Sequence, residues 1–188
     1  MMHPLLKPLI GFSLIIDIVL LDQISKWFVL EYLLKPRMAG LPAPMDPIGW
    51  ILEPPARLPH ICIEVLPFFN LGMVWNEGIS FGLLEGSGPL ALILMSVLIS
   101  ALFMVWLARS RRWVQAISLG MVIGGALSNA IDRLRFGAVA DFLDFHLSGW
   151  HYPAFNVADS CITLGIAFLV FDGLFLEPKQ TKEKNNPE

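Results

Sequence analysis

The sequence predicts a mostly helical, polytopic membrane protein: a bundle of four transmembrane helices with a small extracytoplasmic β-sheet. Hydrophobic residues make up 55% of the 188 residues and charged residues only 15%, whereas a soluble domain carries about 25% charged residues. The mean hydropathy is +0.64. The apolar residues also form long blocks, which is typical of membrane spans. We expect a single membrane-embedded domain over residues 1–188.

Four apolar blocks are each long enough to cross a bilayer, because about 20 helical residues span a hydrocarbon core of roughly 30 Å. The first block contains Asp17 and Asp22 and runs on without a small-residue cleavage site. We therefore interpret it as a retained span rather than a signal peptide. The predicted spans are residues 8–30, 89–108, 114–131 and 157–176.

The orientation of the spans follows from the basic residues. The short loop between the second and third spans contains Arg109, Arg111 and Arg112, and such loops face the cytoplasm. Four spans then place both termini on the cytoplasmic side. Lys35 and Arg37 oppose this orientation, since they follow the first span on the predicted outer side.

The predicted outer face carries two longer pieces of chain. The first covers residues 35–88, and its stretch from Pro36 to Pro59 holds seven prolines, which predicts an irregular extended loop. The alternation and glycines from Ile61 to Leu84 predict a small sheet. The second outer piece covers residues 134–154. The tail at residues 178–188 is predicted to be disordered.

The composition excludes several kinds of site. The net charge is −3, and no basic stripe alternates with aromatic residues, so nucleic-acid binding is not expected. Cys62 falls in a loop and Cys161 in a span, so no disulfide is expected. The sequence has no metal-binding or phosphate-binding motif, and we expect neither a metal nor a cofactor.

Carboxylates gather at one end of the predicted bundle, because three spans and one following loop deliver them to about the same membrane depth. Ionisable groups at that depth cost about 2.5–3.5 kcal/mol each, so they usually pair or line a functional cavity. Two neighbouring carboxylates can share one proton. The ionised member then activates water and the protonated member donates to a carbonyl oxygen. The cluster, which indicates peptide hydrolysis without a metal, consists of Asp22, Asp132, Asp141, Asp144 and Asp159.

Other interpretations of the polar residues remain open at this point. Asp22 with Lys26 is an i,i+4 pair that a purely structural role would explain, and Asp132 beside Arg133 resembles an ordinary interfacial pair. A proton-coupled carrier or an assembly factor would use buried acids too, although a carrier favours a midplane site and repeat symmetry. An intramembrane serine hydrolase using Ser80 matches a G-x-S-x-G pattern, but no span contains a histidine partner.

Four motif blocks occur in order along the chain: Asp22–Lys26 (DQISK), Asn76–Phe81 (NEGISF), Asn129–Phe142 (NAIDR followed by GAVADF) and Phe155–Asp159 (FNVAD). Together with four spans in register, they resemble the lipoprotein signal peptidases, or signal peptidase II. Two features depart from that family. Ser128 stands where glycine is common, and the Pro36–Pro59 stretch is longer than expected.

The resemblance implies an aspartyl endopeptidase of the bacterial inner membrane, with a small extracytoplasmic sheet over its site. Such enzymes cut the signal peptide from prolipoproteins just before a cysteine that carries a diacylglyceryl group. Asp141 and Asp159 would be the catalytic pair; residue reasoning alone does not choose Asp141 over Asp144. We expect a monomer that contacts prolipoprotein and membrane lipids. The supporting residues implied by the motifs are Asp22, Lys26, Asn76, Gly78, Asn129, Asp132, Arg133 and Asn156.

Overall fold

The computed structural model describes residues 6–78 and 88–176. Within these residues the helices are α1 (Leu6–Phe28), α2 (Pro47–Leu52), α3 (Gly88–Ala108), α4 (Trp113–Phe136) and α5 (Val157–Phe171). The strands are β1 (Cys62–Leu66), β2 (Phe69–Asn76), β3 (Val139–Leu147) and β4 (Trp150–His151). Helix α1 continues through a π-helical turn and a 3₁₀ turn to Arg37, and α5 continues through a π-helical turn to Leu176.

Among residues 6–78 and 88–176, four helices are long and apolar enough to cross a membrane, as predicted. The first and third spans are longer than predicted: the first continues to Arg37 rather than residue 30, and the third was predicted to end at residue 131. Helix α4 continues to Phe136 and ends where Gly137 adopts φ +72°, with its N–H bonded to the carbonyl of Arg133. The prediction was too short because it followed hydropathy, whereas the last polar turns of α4 are stabilised by contacts with other helices.

Helix α4 lies at the centre of the bundle and packs closely against α1 and α5. A Cβ atom at Gly120 would lie 2.7 Å from the carbonyl oxygen of Gly11 in α1. A Cβ at Gly125 would lie 2.5 Å from the carbonyl oxygen of Ala158 in α5. Small residues therefore allow the helix backbones to approach, as is common in membranes, and they fix the start of α5 against α4.

The sheet is antiparallel with the order β1-β2-β3-β4. The predicted sheet between Ile61 and Leu84 is confirmed as far as Asn76; residues 79–87 lie outside the described chain. The prediction omitted β3 and β4, which come from the second outer piece, residues 134–154. Strand β3 is stabilised by pairing with β2, which is distant in sequence.

The proline-rich stretch is not wholly irregular, which corrects the prediction for Pro36–Pro59. Asp46 begins α2 by accepting hydrogen bonds from the N–H groups of Ile48 and Gly49, at 2.9 and 3.0 Å. Pro47 occupies the first turn, where its missing N–H costs nothing. Trp50 is buried against the end of α4. The stretch therefore forms a strap, residues 45–58, over the end of the bundle at which α4 terminates.

Lys35, which opposed the predicted orientation, is helical and buried. Its ammonium lies 2.6 Å from Glu31 Oε2, so its charge is neutralised inside the protein. Lys35 is therefore weak evidence when basic residues beside the spans are used to predict orientation. Cys62 and Cys161 are free, as expected. The predicted tail at residues 178–188 lies outside the described residues.

Candidate active site

A buried ion triad joins α1 and α4. Lys26 Nζ lies 2.6 Å from Asp22 Oδ2 and 2.7 Å from Asp132 Oδ2, and each of the three side chains is at most 1% exposed. The predicted Asp22–Lys26 pair is therefore present. The reading of Asp132 beside Arg133 as an ordinary interfacial pair is wrong, because Asp132 pairs with Lys26 from another helix.

Both carboxylates of the triad also hold the backbone of neighbouring elements. Asp22 Oδ1 accepts a hydrogen bond of 2.8 Å from the N–H of Ala158 in α5. Asp132 Oδ2 accepts one of 3.2 Å from the N–H of Ala140 in β3. These two alanines each come immediately before one of the predicted catalytic aspartates. The triad thus fixes β3 and α5 relative to each other.

Two further polar residues, which the sequence analysis did not assign to the site, donate hydrogen bonds to the carboxylates of the triad. Ser128 Oγ donates a 2.6 Å hydrogen bond to Asp22 Oδ2, and Gln23 Nε2 donates one of 2.7 Å to Asp132 Oδ1. The signals were present: Ser128 was the departure from glycine, and Gln23 lies inside the first motif block. Both donate to carboxylate lone pairs that would otherwise be buried without a hydrogen-bond partner.

Two asparagines connect the predicted catalytic aspartates. Asn156 Nδ2 donates to Asp141 Oδ1 at 2.7 Å and lies 3.2 Å from Asn129 Oδ1. Asn129 Nδ2 in turn donates to Asp159 Oδ1 at 2.8 Å. Lys26 Nζ donates to Asn129 Oδ1 at 3.2 Å, which connects the bridge to the triad. The chain Asp141–Asn156–Asn129–Asp159 therefore brings together four residues that the motifs selected.

The start of α5 holds Asp159 in a reciprocal cap. The N–H of Asp159 donates to Asn156 Oδ1 at 2.9 Å, and Asp159 Oδ2 accepts from the N–H of Asn156 at 3.3 Å. This capping box satisfies two backbone N–H groups at the helix start. A carboxylate in the first turn also interacts favourably with the helix dipole.

The last residue of β2 and the two residues after it, the supporting segment, hold Asp141 from its other side. Asn76 Nδ2 donates to Asp141 Oδ2 at 3.0 Å. The N–H of Gly78 donates to Asn76 Oδ1 at 3.1 Å, and Arg133 Nη2 donates to the carbonyl of Gly78 at 2.7 Å. Arg133 therefore supports Asp141 indirectly: it holds the backbone of Gly78, which in turn orients Asn76.

The surroundings of Asp141 favour its protonated form. Burial, followed by the charge of Asp159, raises the pKa of Asp141 to about 8. The hydrogen bonds from Asn76 and Asn156 oppose this rise without cancelling it. At neutral pH the pair therefore retains a proton, as two neighbouring carboxylates in a low-dielectric site should.

Asp144, which residue reasoning left as an alternative to Asp141, has different neighbours. It accepts hydrogen bonds from Asn70 Nδ2 at 2.9 Å and from His151 Nδ1 at 2.8 Å. Burial alone would raise the pKa of Asp144, but the hydrogen bonds from His151 and Asn70 outweigh burial and lower it. Asp144 is thus positioned as an ionised structural residue on the sheet.

Arg57 in the strap is another residue that the sequence reasoning missed. Its Nε donates to the carbonyl of Phe136 at 2.8 Å, and its Nη1 lies 2.6 Å from Glu77 Oε1. Glu77 lies directly between Asn76 and Gly78 in the supporting segment. No local pattern indicates these contacts, because they join residues far apart in sequence.

Two cavities meet at Asp159 and Thr163. One of about 270 Å³ lies beside the asparagine bridge, and one of about 430 Å³ runs along α5 under the segment after β4. Within the described part of the chain, no three His, Cys, Asp or Glu side chains converge as metal ligands. The smaller cavity includes Asn76, Asn129, Arg133 and Val139, and the larger includes Tyr152, Pro153, Phe155 and Leu164.

Fold and site together define a four-span membrane protein in which two asparagines link a pair of aspartates at one end of the bundle. The family model for signal peptidase (SPase) II matches residues 14–175. The chain therefore belongs to the signal peptidase II family, and it is a membrane peptidase.

Curated relatives support this membership. A lipoprotein signal peptidase of Burkholderia mallei (strain SAVP1) is 37% identical over 173 residues, which cover 90% of this chain and 89% of the relative. One of Burkholderia vietnamiensis is 38% identical over 173 residues, which again cover 90% of this chain and 89% of the relative. One of Rhodopseudomonas palustris is 47% identical over 120 residues, 60% of this chain and 73% of the relative.

Solved structures agree on the fold. A bacterial membrane enzyme determined by the in meso method at 2.3 Å resolution is similar with a TM-score of 0.71 and 23% identity, over 100% of both chains. A second, determined at 1.9 Å resolution, gives a TM-score of 0.68 and 22% identity over 93% of this chain and 99% of that one.

Proposed function

We propose that this chain is an aspartic endopeptidase that removes the signal peptide from diacylglyceryl-modified prolipoproteins, cutting just before the lipid-modified cysteine. The observation that carries the proposal is the asparagine bridge between Asp141 and Asp159. It joins the buried carboxylate of Asp141 to the partly buried carboxylate of Asp159 beside a cavity of about 270 Å³, and the environment of Asp141 favours its protonated form. Shared protonation of this kind is what acid–base hydrolysis requires.

In the proposed mechanism Asp159 is the base and Asp141 the acid. Water attacks the scissile carbonyl carbon while its proton passes to Asp159, and the proton of Asp141 passes to the carbonyl oxygen. The resulting gem-diol then loses the peptide nitrogen: Asp159 protonates the leaving nitrogen, and a diol hydroxyl returns its proton to Asp141. Both side chains recover their initial states, and no covalent enzyme intermediate forms.

The remaining motif residues have positioning roles in this mechanism. The ion triad of Asp22, Lys26 and Asp132 holds the backbones that carry the two aspartates. Asn129 and Asn156 orient the two carboxylates directly. Asn76, held by Gly78 and Arg133, orients Asp141 from outside.

The larger cavity supports a lipid-modified substrate. It begins at Asp159 and is lined mainly by apolar groups, among them Phe155 and Leu164. An acyl chain lying along the apolar part of this lining would bury apolar surface away from water, which is favourable. The substrate then enters sideways from lipid, and its lipid chains direct the adjacent peptide bond towards the acid pair.

We further propose a monomer in the bacterial inner membrane, with residues 1–188 forming one domain, both termini cytoplasmic and the site on the outer side. The arginine-rich loop after α3 supports this orientation. Lys7 lies on the same side, because its ammonium donates a 2.7 Å hydrogen bond to the carbonyl of Arg111. Membership of a peptidase family weighs against the carrier alternative, and Ser80, the basis of the serine alternative, lies outside the described residues.

The test uses two synthetic precursor peptides that differ in one group. Purified protein in detergent is incubated with a precursor whose cysteine carries diacylglyceryl and with the same peptide bearing free cysteine. Mass spectrometry should find cleavage of the lipid-modified peptide alone, with the modified cysteine as the new N-terminus. Equal cleavage of both peptides, or cleavage at another bond, would contradict the proposed specificity.

A further inference from the structure

The outer surface of helix α2 is an apolar ridge that no described part of the chain covers. Ile48, Ile51 and Leu52 are 69%, 65% and 74% exposed. Their i, i+3, i+4 spacing puts all three on one face of the helix. Trp50 lies on the opposite side and is buried. A contiguous apolar face of this kind on a six-residue helix typically marks an interaction surface.

The contacts of the strap place α2 at the edge of the bilayer. Arg135, near the end of α4, stacks on the ring of Trp50 at 3.9 Å and also donates to its carbonyl. Trp27 in α1 donates a 2.9 Å hydrogen bond to the carbonyl of Met45. A helix of 24 residues is about 36 Å long, compared with a hydrocarbon core of about 30 Å. The end of α4, and α2 with it, therefore lies at the headgroup boundary.

We propose that α2 is an interfacial membrane anchor whose ridge inserts among the lipid acyl chains of the outer leaflet. The charges around the ridge fit this placement, since the exposed residues Asp46 and Glu53 flank its two ends and would stay among the headgroups. Such helices lie in the interface with their apolar face about 5–10 Å below the headgroup boundary. Three side chains are far fewer than the 20–30 residues that a stable protein partner typically buries on each side, so lipid is the occupant that fits the ridge.

The anchor is independent of the peptidase mechanism, and its test measures depth rather than activity. With Cys62 and Cys161 replaced, single cysteines at the three ridge positions are labelled with a nitroxide in full-length protein. The protein is reconstituted in vesicles of phosphatidylethanolamine and phosphatidylglycerol. Relaxation by oxygen, which concentrates in lipid, is compared with relaxation by a water-soluble nickel chelate. A label at Leu98, 62% exposed on α3, is the lipid reference, and one at Ala56, an exposed strap residue off the ridge, is the comparison within the strap.

The ridge labels should show oxygen-to-nickel ratios several times that of Ala56 but below that of Leu98, which lies at the middle of α3. Ratios equal to that of Ala56 would overturn the proposal, because the ridge would then lie in water. Protection from both reagents would overturn it too, since the occupant would then be protein, such as a second copy of the chain. Ile51→Asp is a second variant: the exposed side chain leaves the packing of Trp50 intact, and nearby labels should become several times more accessible to nickel. No change in that variant would also contradict lipid insertion.

Discussion

The proton held by Asp141 makes both activity and stability depend on pH. The pKa of Asp141 is raised from 3.8 to about 8, so at pH 7 the folded protein keeps this proton in about 9 of 10 molecules. Above a pH of about 8 the acid of the proposed mechanism is lost, and turnover should fall about tenfold for each further pH unit. Turnover that stays constant to a pH of about 10 would refute the assignment of Asp141 as the acid.

The same proton predicts a change in stability whose sign follows from linkage. A carboxyl whose pKa is raised on folding stabilises the protein fully below its unfolded pKa, and that contribution is lost as pH rises through the folded pKa. Between about pH 4 and pH 8 the free energy of unfolding should therefore fall by about 1.4 kcal/mol per pH unit, or about 6 kcal/mol in all. The Asp141→Asn variant has no such proton to lose.

Thermal unfolding of the purified proteins in detergent checks this magnitude. The melting temperature of Asp141→Asn relative to wild type should rise steadily between about pH 5 and pH 8. Asp144→Asn is the matched control: the pKa of Asp144 is lowered, so its contribution is lost only in acid and the difference from wild type should be flat over the same range. A flat difference for Asp141→Asn as well would show that Asp141 is ionised throughout.

Three further substitutions test the support around the pair. Lys26→Met leaves two buried carboxylates without their cation and should cost about 3–5 kcal/mol of unfolding free energy, together with turnover; unchanged melting would contradict the triad's role. Gly125→Ala places a methyl group 2.5 Å from the carbonyl oxygen of Ala158 and should cost about 1–3 kcal/mol, whereas Gly173→Ala, which meets nothing within 4 Å, should melt like wild type. Asp144→Asn should keep turnover at neutral pH within about twofold of wild type, since removing a group outside the site changes free energies by about 0.5 kcal/mol; loss of cleavage would return Asp144 to the catalytic candidates.

The spans could be predicted because the cost of placing polar groups in lipid leaves a strong local signal in the sequence. The polar end of α4 shows where that signal stops. Asp132 and Arg133 are helical because Lys26 and the backbone of Gly78 bind them, and these partners come from other parts of the chain. Hydropathy alone therefore ended the third span too early.

The sheet was only half predicted, for a related reason. β1 and β2 adjoin in sequence and are joined by a tight turn, whereas β3 is stabilised by pairing with the distant β2. Missing β3 also left Asp141 and Asp144 indistinguishable to residue reasoning. Three positions apart on a strand, they point to opposite faces, so a predicted strand would have separated them without the motif.

Helix α2 was hidden by the number of prolines around it. Its local signals were nevertheless present: Asp46 is a good N-cap residue and Pro47 suits the first helical position. The contact of Arg57 with Glu77 left no comparable trace, because an ion pair across 20 residues has no sequence period.

Single-turnover cleavage of the diacylglyceryl-modified precursor by Asp141→Asn and Asp159→Asn tests the catalytic pair most directly. Each variant should fold, as judged by its melting curve, and should cleave at least about 10²-fold more slowly than wild type, the contribution expected of a positioned acid or base. Ser80→Ala, which removes the hydroxyl of the serine alternative, should cleave at close to the wild-type rate. Cleavage within about tenfold of wild type by either folded asparagine variant would contradict an aspartyl pair formed by these two residues.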